Sequence, residues 1–111
     1  MIDHLFTYGT LAPGKVNHHV LESIPGTWRP ATLRGQLIQE GWGAELGSPG
    51  IVPDASREEV TGFLFSFDAS PEHWIMLDEF EGDSYRRVQV DVEVEGAGTV
   101  LAYVYALNRS N

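Results

Sequence analysis

Glu81 is the residue of this sequence best placed for proton chemistry. It lies in the run Leu77-Asp78-Glu79-Phe80-Glu81-Gly82, where a short helix is expected to end. Ser70-Pro71-Glu72 supplies the start of that helix, with Ser70 as the cap and Pro71 at the first helical position. Gly82 supplies the stop. Counted from Trp74, Leu77 and Glu81 return to the same helix face, whereas Glu79 falls on the outer side. An unpaired charge is costly to bury. Desolvation would therefore raise the pKa of an inward Glu81, and the negative end of the helix dipole would add to the shift. A carboxyl tuned in that way suits proton transfer near neutral pH. A solvated helix end, where acidic residues are ordinary, is the alternative at this point, and spacing alone fits both.

A second group of interest is Phe6-Thr7-Tyr8-Gly9-Thr10-Leu11-Ala12-Pro13-Gly14. Glycine directly after a strand permits a sharp turn and close approach of the backbone. Successive N–H groups in such a turn converge on one spot and bind an anion. No P-loop pattern is present and no lysine follows to hold phosphates, so a small carboxylate is the expected guest. Taken alone, Tyr-Gly-Thr is more commonly a plain strand-to-loop turn. The four histidines, His4, His18, His19 and His73, have no metal-ligand spacing. His18 and His19 are adjacent and would diverge on a helix. No Gly-x-Ser-x-Gly elbow occurs, and Ser48, before Pro49-Gly50, reads as a turn residue. Trp28, Trp42 and Trp74 read as core or pocket walls, with Trp42 in the glycine-rich loop the best pocket candidate.

These residues need a scaffold, and strand patterns dominate the sequence. Val88, Val90, Val92 and Val94 alternate with Arg87, Gln89, Asp91 and Glu93. From Val100 to Leu107 small residues alternate with Leu101, Tyr103, Tyr105 and Leu107. Gly96-Ala97-Gly98 lies between the two runs, which predicts a β-hairpin. Further strands are expected at His4–Tyr8, Leu33–Gln39 and Val60–Phe67, where Phe63, Phe65 and Phe67 share a face. A short helix is expected from about Asn17 to Ser23, with Val16, Val20, Leu21 and Ile24 as its apolar side. The stronger helix runs from Pro71 to Glu81. Gly41 to Ala55 carries four glycines and two prolines. It reads as a long irregular loop with a short strand at Ile51-Val52, and such loops are often functional. The pattern predicts an α+β fold: a small, mostly antiparallel or mixed β-barrel with one or two short flanking helices.

Composition narrows the partners. The 111 residues suit one domain, 1–111, and 42% hydrophobic residues suffice for a core. The net charge is −9, and Lys15 is the sole lysine. Such a chain repels phosphate backbones and anionic membranes, so neither nucleic acid nor membrane is an expected partner. Arg86-Arg87 is too small a basic patch to reverse that. The absence of cysteine excludes disulfides, cysteine nucleophiles and thiolate metal sites and fits a cytoplasmic location. The start Met1-Ile2-Asp3-His4 lacks the features of a signal peptide, and no apolar run reaches membrane-spanning length.

Tyr8-Gly9-Thr10-Leu11, then Leu77-Asp78-Glu79-Phe80-Glu81-Gly82, then Tyr85-Arg86-Arg87, taken in this order and spacing, resemble the γ-glutamylcyclotransferase-like superfamily. The similarity is to its small single-domain branch, which includes γ-glutamylamine cyclotransferases and avirulence-induced plant proteins. It extends over nearly the whole chain, through the Asn17 region, Gly62 and the closing Ala102-Tyr103-Val104-Tyr105 run. The resemblance implies a small β-barrel with flanking helices. It implies that Tyr8, Gly9, Thr10 and Leu11 line a cavity for the α-amino acid end of a γ-glutamyl compound. It makes Glu81 the acid/base, places Tyr85 close to the cavity, and calls for no metal or organic cofactor. The implied reaction is cyclisation to 5-oxoproline with release of an amine or amino acid. Many relatives carry arginine after the Tyr-Gly-Thr-Leu run, where this chain has Ala12. Three rivals stand beside this reading. A non-catalytic binding module on the same fold would bind a γ-glutamyl compound without product. An interaction protein would use its acidic surface for a basic partner and associate in a salt-sensitive way. A metal hydrolase with scattered ligands would be sensitive to chelators. The oligomeric state has no signature in the sequence.

Overall fold

The computed structural model of the protein describes residues 1–9, 11–15, 17–38 and 50–108. Period-two alternation builds six strands from them. These are β1 (Ile2–Thr7), β2 (Gly26–Ile38), β3 (Gly50–Pro53), β4 (Glu59–Asp68), β5 (Tyr85–Val94) and β6 (Gly98–Leu107). Two helices interrupt them, α1 (His19–Glu22) and α2 (Pro71–Glu81). The strands join in the order β1-β4-β2-β3-β6-β5, and β6 pairs in parallel with β1, closing β1, β4, β2, β3 and β6 into a mixed five-stranded barrel. β5 forms the hairpin with β6, and its end reaches β2 at Ala31↔Val94 and Thr32↔Glu93.

Alternation splits the side chains between two cores. Inside the barrel are Phe6, Ala31, Leu33, Ile51, Val60, Leu64, Val92, Val94, Ala102, Val104 and Ala106. Outside it, under the helices, are Leu5, Phe65, Phe67 and Tyr105, which meet Leu21 and Ile24 around α1 and Trp74 and Leu77 of α2. The small residues of β6 thus fill the barrel while its tyrosines face the helix layer. The aromatic stack Trp28–Phe65–Phe67 continues to Trp74 at centroid spacings of 4.5, 4.8 and 5.4 Å. Gly62 is required where β4 crosses β1, because a Cβ there would lie 2.2 Å from the Thr7 carbonyl oxygen.

The expected barrel, hairpin and second helix are all present. Boundaries moved elsewhere. β1 begins earlier and ends at Thr7, and β2 starts at Gly26 rather than Leu33. Ile51-Val52 lies within β3. α1 is a single turn rather than a helix from Asn17. The chain ahead of it winds through i→i+3 bonds from the His18 N–H to the Lys15 carbonyl and from the Val20 N–H to the Asn17 carbonyl. Val16, Trp42 and Ser48 lie outside the described residues, as does most of the Gly41–Ala55 loop. No helix among the described residues is long and apolar enough to cross a membrane.

Candidate active site

Local sequence fixes α2 at both ends. The Ser70 side chain accepts the His73 N–H at 3.3 Å, and His73 Nδ1 accepts the Ser70 N–H at 3.1 Å. This is a reciprocal cap with histidine in the usual place of glutamate. Gly82 ends the helix at φ 75°, a conformation open to glycine. Between them Trp74 and Leu77 are buried against the barrel. That phase turns Glu79 to solvent and leaves Glu81 half-buried. Burial pushes the Glu81 carboxyl up to about 7.

One turn earlier, Asp78 meets the opposite environment. Its Oδ1 accepts hydrogen bonds from Arg87 Nε at 2.9 Å and the Tyr105 hydroxyl at 2.7 Å, and its Oδ2 accepts from Arg87 Nη2 at 3.1 Å. The Arg87 bond holds the Asp78 carboxyl below its usual range, with Tyr105 assisting. The Arg87 guanidinium lies 4.6 Å from the Trp74 ring centroid and 4.9 Å from that of Tyr103. Two carboxylates on one helix are therefore driven apart, Asp78 remaining charged and Glu81 exchanging protons near neutrality.

Facing Glu81 is the end of β1. The Tyr8 hydroxyl donates to the Tyr105 carbonyl at 2.7 Å and accepts the Ile51 N–H at 3.1 Å, tying β1 to β6 and β3. Burial raises the Tyr8 pKa, and the nearby charges of Tyr85 and Glu81 raise it further. Burial likewise raises that of Tyr105, with Asp78 next in effect and Glu81 a smaller contributor. Glu81, Tyr8, Tyr85 and Tyr105 thus form one group, drawn from α2, the residue after β1, β5 and β6. The Ala12 N–H bonds the Gly9 carbonyl at 3.1 Å, so the segment after β1 is a tight turn. Leu11 points its side chain into the helix-side core, and Thr10 lies outside the described residues. Tyr8 and Ala12 also line an open groove of about 1010 Å³ whose other walls include Lys15, Thr61, Glu93 and Glu95.

Of the residues expected at the site, the structure groups Glu81, Tyr8 and Tyr85, with Gly9 next in the chain. Asp78, Arg87 and the Tyr105 hydroxyl were not anticipated. The hairpin register held the signal. Seven steps back along each strand from the Val94↔Gly98 pair at the turn, Arg87 stands opposite Tyr105. Among the described residues, no three histidine, aspartate or glutamate side chains are arranged to hold a metal ion.

Comparison with known proteins agrees with this architecture. The model of the family described as "Gamma-glutamyl cyclotransferase, AIG2-like" matches residues 5–111. The chain is 30% identical over 116 aligned positions to the γ-L-glutamyl-butirosin B γ-glutamyl cyclotransferase of Niallia circulans, covering 97% of this chain and 69% of that one. Among solved structures it is similar to YkqA from Bacillus subtilis, with TM-score 0.76 and 28% identity over 97% of this chain. It spans only 36% of that larger protein. It also shares the fold of an AIG2-like protein from Mus musculus, with TM-score 0.74 and 24% identity over 99% of this chain and 80% of the other.

Proposed function

The chain belongs to the gamma-glutamyl cyclotransferase, AIG2-like family, and from that premise we propose that it cyclises a γ-glutamyl amine or γ-glutamyl amino acid to 5-oxoproline, with Glu81 as general acid and base. The observation that carries this reading is the desolvated Glu81 carboxyl, poised at about 7 beside Tyr8 and Tyr105. In the proposed reaction ionised Glu81 takes a proton from the substrate's α-ammonium group. The freed amine attacks the γ-carbonyl carbon of the same molecule, forming the ring C–N bond. The bond from that carbon to the leaving nitrogen breaks as Glu81 returns its proton to that nitrogen, and the restored Glu81 carboxylate then takes the surplus proton from the ring nitrogen and releases it to solvent. The products are 5-oxoproline and the free amine, and no water is consumed. A carboxyl near 7 serves both transfers because it gives and takes protons at similar cost. Both reacting groups belong to one molecule, so holding the substrate folded supplies much of the acceleration.

The reading assigns the substrate's α-carboxylate to the N–H groups of Gly9, Thr10 and Leu11. The tight turn at Gly9–Ala12 supports that assignment. Both hydrogen-bonding roles of the Tyr8 hydroxyl are taken by the protein, so Tyr8 contributes a wall rather than a substrate hydrogen bond. Ala12 lines the adjoining groove with a small side chain.

The test is 5-oxoproline release from a panel of γ-glutamyl amines and dipeptides. Wild type should turn over at least one of them. Glu81→Gln should lose about 100-fold or more in kcat while still binding the ligand. Glu79→Gln, on the solvent face, should behave as wild type. Equal losses from both changes would indicate helix damage, and normal turnover by Glu81→Gln would remove Glu81 from the mechanism. Ligand binding by wild type without product would favour the binding-module alternative.

A further inference from the structure

The last turn of α2 carries Glu81 but has little apolar attachment of its own. Beyond Leu77, Glu79 faces solvent and Phe80 is 41% exposed. The barrel reaches this turn through the grip on Asp78, which is adjacent to Glu81 on the helix surface at spacing i, i+3, and just past the helix through Asn108, whose N–H and Nδ2 donate to the carbonyls of Ser84 and Asp83 at 2.8 and 3.1 Å. The grip has defined geometry: a two-pronged bond from Arg87 and a third bond from the Tyr105 hydroxyl. The guanidinium is in turn held against Trp74 and Tyr103. The pair is half-exposed, with side-chain exposures of 25% for Arg87 and 46% for Asp78. Ion pairs in such positions contribute little to stability, but a forked pair supplies direction. Tyr105 also acts across the site, because its carbonyl receives the Tyr8 hydroxyl. Two sets of hydrogen bonds therefore meet at Tyr105, Arg87 and Asp78 at its hydroxyl end and Tyr8 and Ile51 at its backbone carbonyl.

We propose that Arg87 and Tyr105 are positioning residues: by gripping Asp78 they hold the last turn of α2 so that the Glu81 carboxyl stays against the Tyr8 end of the barrel. The inference rests on the reading of Glu81 as the acid and base. Neither residue needs to touch the substrate. Each acts by fixing where Glu81 sits and by keeping water from it. Among the described residues, the charged or titratable groups facing Glu81 are Tyr8 just past β1 and Tyr105 on β6, with Tyr85 on β5 beside Tyr8 and Asp78 one turn back on α2. Tyrosines do not ionise near neutrality and Asp78 is held charged, so a titration near 7 at this site reports Glu81.

The experiment uses the full chain as wild type, Tyr105→Phe and Arg87→Lys. Phenylalanine removes only the hydroxyl. Lysine keeps the charge but lacks the fork, so charge alone predicts no change. Carbon-13 NMR titration follows the Glu81 carboxyl, 5-oxoproline release gives kcat and KM, and a thermal melt verifies folding. In each folded variant the Glu81 midpoint should fall by about one unit as water gains access. In parallel kcat should fall about tenfold or more, with KM within about twofold and the acid limb of kcat following the midpoint downward. A wild-type midpoint in both variants would overturn the proposal, even if their melting temperatures were lower. If one variant does not fold, the other decides. Wild type that shows the raised midpoint but turns over no substrate would overturn the functional reading, while the midpoint comparison would still decide the grip.

Discussion

Glu81 and Asp78 show how one helix gives two carboxyls different tasks. Asp78 is exposed enough to stay hydrated and has Arg87 as partner, so it ionises early. Glu81 has burial and, among the described residues, no cation to offset it, so it ionises late. The difference has a consequence for stability. The folded pKa of Glu81 is raised above its ordinary value of 4.5 to about 7. Its contribution to stability is therefore fully present below about 4.5 and is lost as pH rises through 7. At higher pH the ionised group opposes folding by an amount on the order of 2–3 kcal/mol. Glu81→Gln should therefore melt at a higher temperature than wild type at pH 8.5, with the gap closing toward pH 4. Calorimetry at the two pH values tests this, and an equal gap at both would show that Glu81 is not desolvated. Glu81 itself was legible in the sequence, because two caps and a 3.6-residue period are local signals. Arg87 and Tyr105 were not. They meet Asp78 only after a hairpin has been put in register and a helix laid over it, which no local pattern encodes.

At the scale of elements, α2 was the most legible because its ends carry their own chemistry. Ser70 caps it through hydrogen bonds with His73. Ser70→Ala should cost about 1 kcal/mol, measured by chemical denaturation, without altering kcat below the transition. The cap lies at the far end of the helix from Glu81, so a fall in kcat would mean that fraying spreads along the helix. β2 was harder to read. Its first half, Gly26-Thr27-Trp28-Arg29-Pro30, holds a glycine and a proline that argue against a strand. Tertiary pairing overrides that preference: the segment is zipped to β4 from Gly26↔Phe67 onward, and the Pro30 carbonyl accepts the Glu95 N–H. The early helix was over-extended for a related reason. His18 looked helical but gives its Nδ1 to the Leu11 carbonyl at 3.1 Å and packs on Trp28, which holds it in a turn.

At the scale of the whole molecule, barrel closure was expected from the number and alternation of strands, whereas strand order was not readable. Closure depends on a tight crossing at Gly62, where the Thr7 carbonyl and the Phe6 ring leave no room for a methyl group. Gly62→Ala should force β1 and β4 apart and cost about 3 kcal/mol, read as a lower denaturant midpoint. A midpoint like that of wild type would mean that β1 moves freely over β4. The seam itself joins sequence-distant strands, with Leu5 opposite Tyr103 and Phe6 opposite Val104. Contacts of such long range form late, because loop closure must precede them. A chain leaving the ribosome therefore cannot close its barrel until β6 has been made. Until β6 docks, Tyr8 lacks the Tyr105 carbonyl and Asp78 lacks the Tyr105 hydroxyl. Glu81 in such a nascent chain would titrate as an ordinary surface glutamate, and its poise near neutrality would be acquired when β6 docks.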